Sequence, residues 1–199
     1  MKTVYQIALA VIIAILGYFL YESIMEPIRF EKEKNRRYNA TIERLKSIRT
    51  SQDAYRSRFG KYTGSFDTLI SFMKEGQIKV VKQIGSEDDS LAVIQKKVFR
   101  DTILIPVRDT ILKGYPYDSL RYVPFTGGDE FELAAGELKT QSGVSVKVFE
   151  CKVPNKVILK GLDRQEIINM DDLAKKLNKY PGLKVGSLTE ATNNAGNWE

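Results

Sequence analysis

Hydrophobic and polar positions divide this chain into an apolar start and a longer region of mixed patterning. Residues 4–21 form a run without any charged side chain, in which Gln6 is the one strongly polar residue. As a helix, about 18 residues at ~1.5 Å each would extend about 27 Å, close to the ~30 Å hydrocarbon core of a bilayer. The run therefore predicts a single membrane-spanning helix.

The main alternative to an anchor is a cleaved signal peptide, because Met1 and Lys2 form a short basic start. However, the run is longer than the roughly 7–15 apolar residues of a signal peptide, and it ends in aromatic residues instead of the small residues of a cleavage site. We therefore predict that residues 1–26 are a retained anchor. Its apolar, lipid-facing side chains would be Val4, Ile7, Leu9, Val11, Ile12, Ile13, Ile15, Leu16, Phe19 and Leu20.

Beyond Pro27, which can kink or restart a helix, apolar and aromatic residues recur at steps of three and four positions. This spacing predicts an amphipathic helix over residues 30–59, with Gly60 as a natural stop. Charged side chains fill most of the other positions. We expect the apolar face to pack on the domain behind it, and a coiled-coil partner is the alternative. That face carries Tyr38, Ile42, Leu45, Ile48, Gln52, Tyr55 and Phe59.

The rest of the chain alternates between short helix and strand patterns. A helix over residues 66–75, which Ser65 can cap, precedes a strand over residues 77–84, and residues 100–112 predict two β-rich stretches bent at Pro106. Further predicted elements are antiparallel strands over residues 119–124, 130–133 and 144–150, an amphipathic helix over residues 163–179 and one more strand after residue 183. The predicted fold class is α+β.

The predicted organisation has two parts, an anchor over residues 1–26 and a head over residues 27–199. Within the head, the amphipathic helix would occupy residues 27–60, and residues 61–162 would be mainly β. The C-terminal helix and tail would occupy residues 163–199. We expect the long helix to pack on an antiparallel sheet of the head.

The composition excludes several classes of enzyme. The 199 residues contain no histidine and one cysteine, Cys151, which excludes imidazole bases, histidine-ligated metals and cysteine-rich metal sites. The formal charge of +6 comes from 31 basic and 25 acidic residues with both signs interleaved, which does not predict a nucleic-acid partner. Glu130 and Glu132 would share one side of a strand, where we expect both to face water. We therefore predict no catalytic residue, cofactor, metal ligand or small-molecule substrate.

The charges beside the apolar run leave the side of the membrane open. Arg29, Lys32, Lys34, Arg36 and Arg37 follow the run, and the positive-inside rule would place the head in the cytoplasm. Four glutamates (Glu22, Glu26, Glu31 and Glu33) also lie between the apolar run and Arg36, and a short N-terminal tail usually stays inside. Near the membrane exit, the basic residues of this stretch would also suit anionic lipid headgroups.

A specific pattern surrounds the end of the second helix. Residues 45–55 read Leu-Lys-Ser-Ile-Arg-Thr-Ser-Gln-Asp-Ala-Tyr, and residues 59–63 read Phe-Gly-Lys-Tyr-Thr. Together with the apolar start, this resembles the type IV pilins and the pseudopilins of type II secretion, whose long helix ends in similar wording before a globular head. The resemblance covers about the first 75 residues, and the remainder agrees in architecture only.

The resemblance implies a sheet packed against the C-terminal half of the long helix, and a head outside the cytoplasmic membrane. Residues 1–3 alone precede the apolar run, and Gln6 stands nearest to the family's acidic assembly residue, so the family's leader and acidic residue are not matched. We expect a single-pass inner-membrane protein with a periplasmic head, acting as a non-catalytic structural or assembly subunit of a bacterial envelope machine. Its partners would be the lipid bilayer and other envelope proteins or further copies. The alternative is a membrane-tethered periplasmic binding or scaffold protein that forms no filaments.

Overall fold

One continuous helix, α1 (Lys2–Phe59), dominates the computed structural model, which describes residues 2–84, 99–140 and 143–199. At ~1.5 Å per residue, its 58 residues extend about 87 Å. Pro27 lies inside the helix without ending it, so the predicted anchor and the predicted amphipathic helix are one element. A proline removes one backbone hydrogen bond, and the long helical stretches on both sides, with Phe30 buried in the head, keep the helix continuous.

Helix α2 (Phe66–Glu75) lies against the last turns of α1 and has the predicted bounds. Ser65 holds the N-cap position with an extended backbone, but its side chain makes no capping hydrogen bond. Gly76 follows in close contact with the helix end, because a Cβ there would lie 2.4 Å from the Phe72 carbonyl oxygen. The helix buries Phe66, Leu69, Ile70, Phe72 and Met73.

A two-stranded antiparallel sheet follows, formed by β1 (Gln77–Ile84) and β2 (Phe99–Pro106). The first strand has its predicted bounds. The second β-rich stretch predicted within residues 100–112 is wrong, because a helical turn, α3 (Val107–Thr110), follows β2 directly. Pro106 has no N–H for a ladder, and its φ of −58° suits the approach to a helix. Val107 is fully buried, which fixes the turn on the core.

The strand predicted over residues 119–124 is also wrong. A 3₁₀ turn (Tyr117–Arg121) occupies most of this segment. The Ser119 hydroxyl donates to the Pro116 carbonyl oxygen at 2.7 Å, a local bond that favours a turn over an extended strand. Of the predicted strand residues, Tyr122 keeps a ladder contact, as an isolated bridge to Glu130.

The second sheet is antiparallel and has the order β3-β4-β5, formed by β3 (Glu132–Lys139), β4 (Ser145–Pro154) and β5 (Gly182–Gly186). Strand β3 begins two residues later than predicted and extends further, so the predicted span over residues 130–133 captures its start only. Strand β4 is central, and Cys151 lies across from both neighbouring strands. The sheet therefore places one buried thiol at the middle of the core.

Two helices connect β4 to β5. The turn α4 (Asn155–Ile158) leads to α5 (Arg164–Lys176), which Asp163 caps by accepting the Glu166 N–H at 2.8 Å. The helix ends short of its predicted end at residue 179, where Asn178 adopts a left-handed backbone with φ of 53°. None of its residues is buried, which departs from the usual behaviour of an amphipathic helix.

The core of the head lies between α1, α2 and the three-stranded sheet. Its largest fully buried side chains come from these three layers and from the short helical turns beside them: Phe149, Leu45, Ile48, Leu69, Met73, Leu120, Ile158 and Leu159. The predicted α+β class, with a long N-terminal helix, antiparallel sheets and a C-terminal helix, is confirmed.

Candidate functional site

The N-terminal part of α1 extends away from the head with its apolar side chains uncovered. In this apolar segment (residues 4–21), the predicted lipid-facing side chains that the structure describes are all exposed: Ile7, Leu9, Val11, Ile12, Ile13, Ile15, Leu16, Phe19 and Leu20. The side chain of Val4 lies outside the described residues. By length and composition this is a helix able to cross a membrane, and the described part of the chain contains one such helix.

The stripe of α1 predicted to contact the head lies against it along most of its length. Three of its residues are buried, the first two completely: Leu45, Ile48 and Tyr55. Two are half-buried against the same core: Tyr38 and Ile42. Phe59 is 52% exposed, and its ring centroid lies 4.5 Å from that of Tyr55 and 5.6 Å from that of Phe72. We call this contact between α1 and the head the joint. Its side chains are most buried in the middle of the stripe and most exposed at its C-terminal end.

Gln52 lies within this apolar stripe and is fully buried. Its side-chain Nε2 donates to the Thr63 carbonyl oxygen at 2.6 Å, and its Oε1 accepts the Thr63 N–H at 3.1 Å. The amide thereby satisfies both backbone groups of a loop residue that would otherwise be desolvated without partners. The sequence placed Gln52 on the correct face without giving it a role. A glutamine in the middle of an apolar stripe was the sequence signal for this contact, because a buried polar side chain needs hydrogen-bond partners.

Arg37 of α1 binds the C-terminal end of α4. Its guanidinium donates to the carbonyl oxygens of Ile158 at 3.3 Å and Lys160 at 2.9 Å, and it pairs with Glu33 at 3.0 Å. Its side chain is 14% exposed. This member of the basic cluster is therefore used inside the protein, which leaves less of the cluster for the lipid headgroups considered from the sequence.

Arg44 and Arg49 extend the same kind of contact along α1. Arg44 donates to the Ser119 carbonyl oxygen and lies over the Tyr115 ring, with 5.5 Å from its guanidinium carbon to the ring centroid. Arg49 pairs with the Glu199 carboxylate at 2.7 Å. The helical spacing places these arginines among the charged residues outside the apolar stripe. Periodicity does not distinguish an arginine that reaches a carbonyl from one that faces water, so these contacts were missed.

A polar chain joins α1, α4 and α5 on one side of the head. The Tyr38 hydroxyl donates to Asn155 Oδ1, and Asn155 Nδ2 donates to the Asp171 carboxylate at 2.8 Å. Burial, and secondarily the Asp171 charge, raise the pKa of Tyr38 to about 12. The phenol therefore stays neutral over the physiological range and serves as a fixed donor.

The remaining groups that could carry chemistry have structural partners. Burial raises the pKa of the Cys151 thiol, so its reactive thiolate form is disfavoured. Glu130 lies 3.7 Å from an Arg121 nitrogen and Glu132 lies 3.7 Å from Lys152 Nζ, and both carboxylates are largely exposed. Among the described residues, no three carboxylate or cysteine side chains come together as a metal site.

A groove of about 550 Å³ lies between α1 and α5. The start of α5, with Asp163 and Glu166, lies beside α1 near Pro27 at a neighbouring cavity, and the residue after its end, Leu177, lies beside Tyr38 in the groove itself. The two helices therefore run in the same direction along the groove, which we call the α1–α5 groove. Its lining from these helices comprises Lys34, Tyr38, Met170, Leu173, Ala174 and Leu177, and the segment around β5 adds Lys179, Tyr180 and Lys184.

The architecture combines a long helix with an apolar N-terminal part and small antiparallel sheets, which is compatible with a pilin-like arrangement. The uncovered apolar segment, the arginine-bound joint and the α1–α5 groove are the features of this chain from which a function can be argued. Comparisons with protein-family models, with curated proteins and with solved structures find no match to the chain.

Proposed function

We propose that this chain is a single-pass, membrane-anchored, non-catalytic and pilin-like subunit of a bacterial cell-envelope machine. In this proposal the apolar segment crosses the inner membrane, and the head lies on the extracytoplasmic side. The observation that carries the proposal is one helix whose first part is apolar and wholly uncovered while its second part is built into the head.

The uncovered apolar segment supports the anchor on energetic grounds. Transferring one large apolar side chain out of water is worth about 1.5–3 kcal/mol. The segment exposes nine such side chains at its predicted lipid-facing positions. Their summed transfer free energy is comparable to or larger than the roughly 5–15 kcal/mol that holds a whole domain folded. A bilayer supplies the apolar surroundings that these side chains lack in the isolated chain.

The joint between anchor and head supports a structural role. Leu45 and Ile48 are fully buried, and Arg37 and Arg44 bind carbonyl oxygens of the head. Because α1 is a single element, these contacts fix the head relative to the apolar segment. A subunit built this way holds its surfaces at a defined height above the membrane, which suits assembly more than catalysis.

The pilin-like part of the proposal is supported by the sequence motif within residues 45–63 and by the compatible architecture. The same motif supports an extracytoplasmic head, because pilin-like domains with such a motif are exported. Within the structure, these residues form the last turns of α1 and the loop that Gln52 binds.

A tethered binding or scaffold protein is the second candidate, and the α1–α5 groove is the observation that favours it. Two exposed leucines, Leu173 on α5 and Leu177 at its C-cap, line this groove. A monomeric head with such a surface could act by binding one envelope protein without forming filaments.

Membrane fractionation of cells that produce the full chain tests the proposal. We expect the protein in the membrane fraction, resistant to alkaline extraction, with its N-terminus ahead of the apolar segment. A soluble product whose N-terminus lies beyond Tyr21 would show instead that the segment is a signal peptide. Electron microscopy of the purified full chain then separates the two candidates, because an assembly subunit gives filaments or discrete complexes and a tethered binder gives monomers.

A further inference from the structure

We propose that the α1–α5 groove binds an acidic amphipathic helix supplied by a partner protein. This inference rests on the proposed function in two respects, the membrane anchor and the presence of other envelope proteins beside the head. The groove has a volume of about 550 Å³. Its two long walls are α1 and α5, which run in the same direction, so a third helix can lie along the groove between them.

The apolar part of the groove comes from α5. Leu173 and Leu177 lie one turn apart and are 59% and 57% exposed, and the half-buried Met170 lies one turn earlier. An amphipathic helix normally buries such residues in the core of its domain. Here Leu173 and Leu177 face the groove. Together with Met170, which also packs against the core, they follow the i, i+3 and i+7 spacing that receives the apolar face of another helix. The apolar surface of α5 is therefore placed for a contact that the described chain does not itself provide.

The charged side chains that line the groove are basic. Lys34, Lys179 and Lys184 line it, whereas the acidic Asp163 and Glu166 line a neighbouring cavity near Pro27. Lys34 pairs with Glu31 at 2.5 Å, whereas the ion pairs within the described ranges involve neither Lys179 nor Lys184. An occupant that carries carboxylates beside its apolar face would therefore find complementary charge, which favours both the encounter and the correct orientation.

The height of the groove favours a protein helix over a lipid of the same bilayer. Lys34 lies about 20 Å along α1 from the end of the apolar segment. The headgroup layer on each side of a bilayer is only ~5–8 Å thick. Even if α1 were tilted by about 40°, Lys34 would stand about 15 Å above the hydrocarbon. A headgroup of the surrounding bilayer does not reach that height, whereas a helix of a neighbouring protein does.

The test uses the full chain in nanodiscs of zwitterionic phosphatidylcholine and a labelled synthetic peptide. The probe is a designed helix with leucines at i, i+3, i+4 and i+7 and glutamates at the flanking positions. A matched peptide carries lysine in place of every glutamate, and empty nanodiscs give the background. We expect saturable binding of the acidic peptide in fluorescence anisotropy, little binding of the basic peptide, and weaker binding as salt is raised.

Variants of the groove assign the binding to these residues. Leu177→Ser should weaken the acidic peptide about tenfold, the effect of losing one good apolar contact. The double variant Lys179→Glu/Lys184→Glu should reverse the preference and bind the basic peptide. Ile168→Ser and Lys175→Glu make the same kinds of change on α5 away from the groove lining, and we expect both to bind like the native chain.

Three results would each overturn the inference. The first is that the acidic peptide does not bind at concentrations up to about 1 mM, which is the weak end of specific recognition. The second is that the two peptides bind equally well. The third is that neither Leu177→Ser nor the charge reversal changes the binding. Circular dichroism of each variant shows that the comparison is made on folded protein. Failure here leaves the membrane anchor intact, whereas a soluble native product would remove the proposed function, and the peptide assay would then be made on that soluble protein.

Discussion

Gln52 binds Thr63 through both polar backbone groups of that residue. The side-chain Nε2 of Gln52 lies 2.6 Å from the Thr63 carbonyl oxygen, and its Oε1 lies 3.1 Å from the Thr63 nitrogen. Gln52 is fully buried in α1, and Thr63 lies in the loop that leads to α2. This pair of hydrogen bonds fixes the loop on the helix in the way a ladder fixes two strands. It therefore sets where α2, and the core behind it, begin.

Replacing Gln52 by alanine should destabilise the protein by about 1–3 kcal/mol, because two backbone groups lose their partners in a buried place. Urea unfolding of the full chain in a mild detergent, followed by circular dichroism, measures this. Thr50→Ala is the matched control, since Thr50 is exposed on the same helix. Equal midpoints for Gln52→Ala and Thr50→Ala would mean that water reaches the Thr63 loop.

The substitution Leu45→Asp should cost about 3 kcal/mol or more, because it puts a carboxylate in a fully buried apolar place. Glu43→Ala, two residues away, removes an exposed ion pair with Lys46 and should cost at most about 1 kcal/mol. The melting temperatures of both variants, measured beside that of the native chain, check this. An unchanged melting temperature for Leu45→Asp would mean that this face of α1 is free for a partner.

Removing the guanidinium of Arg37 should loosen the end of α4, because the carbonyl oxygens of Ile158 and Lys160 lose their common donor. We expect a loss of about 1–3 kcal/mol for Arg37→Ala. Amide hydrogen exchange should also be faster around residues 158–162. Arg58→Ala, at an exposed position near the end of the same helix, is the control and should change neither quantity. Unchanged exchange around α4 would show that the arginine is not holding it.

Periodicity along the sequence was sufficient for two of the regular elements. The three- and four-residue spacing of apolar positions gave the bounds of α2, and alternation gave those of β1. The contact stripe of α1 follows the predicted face because a helix with one apolar side can bury only that side. These are local properties, so they are present in the residue order itself.

The features that could not be predicted depend on local hydrogen bonds that compete with a strand, or on partners distant along the chain. Residues 119–124 have a strand-like composition, but the local bond of Ser119 to Pro116 and the burial of Leu120 favour a 3₁₀ turn. The contact from Arg37 to Ile158 spans more than a hundred residues. The exposed leucines of α5 were predicted on an amphipathic helix, yet nothing in its spacing tells whether the core reaches that face.

Alkaline pH should destabilise the protein partly through Tyr38. Its pKa is about 12 in the folded protein, against about 10 in an unfolded chain, so the folded state holds the proton more tightly. This contribution is complete below about pH 10, and it is lost as the pH rises through the folded pKa towards about 12. Tyr38→Phe removes the titration.

Urea midpoints at a series of pH values from about 9 to 11 compare the two proteins. We expect the native midpoint to fall more steeply above about pH 10 than that of Tyr38→Phe. Tyr180, whose pKa burial also raises to about 12, titrates in both proteins and cancels in the comparison. Parallel curves would show that the Tyr38 phenol is not desolvated in the folded head.

Deleting residues 1–26 should convert the protein from a membrane protein into a soluble, folded head, because the deleted part includes the whole apolar segment. The buried stripe of α1 begins beyond this cut, with Phe30 as its first buried side chain. Size-exclusion chromatography and circular dichroism of residues 27–199 measure the outcome. Aggregation of the truncated head would mean that the apolar segment also covers part of the domain.

Determining on which side of the membrane the head lies tests the proposed function most directly. Native Cys151 is completely buried and its pKa is raised, so the native chain should not react with a maleimide. A cysteine introduced at the exposed Ser71 of α2 reports on the accessibility of the head. The reagent is a membrane-impermeant maleimide, applied to cells whose outer membrane has been permeabilised.

We expect Ser71→Cys to be labelled in such cells before the inner membrane is broken, and the native chain to stay unlabelled throughout. This result would place the head outside the cytoplasm, as an anchored, pilin-like envelope subunit requires. Labelling of Ser71→Cys only after the inner membrane is broken would place the head in the cytoplasm and contradict the account.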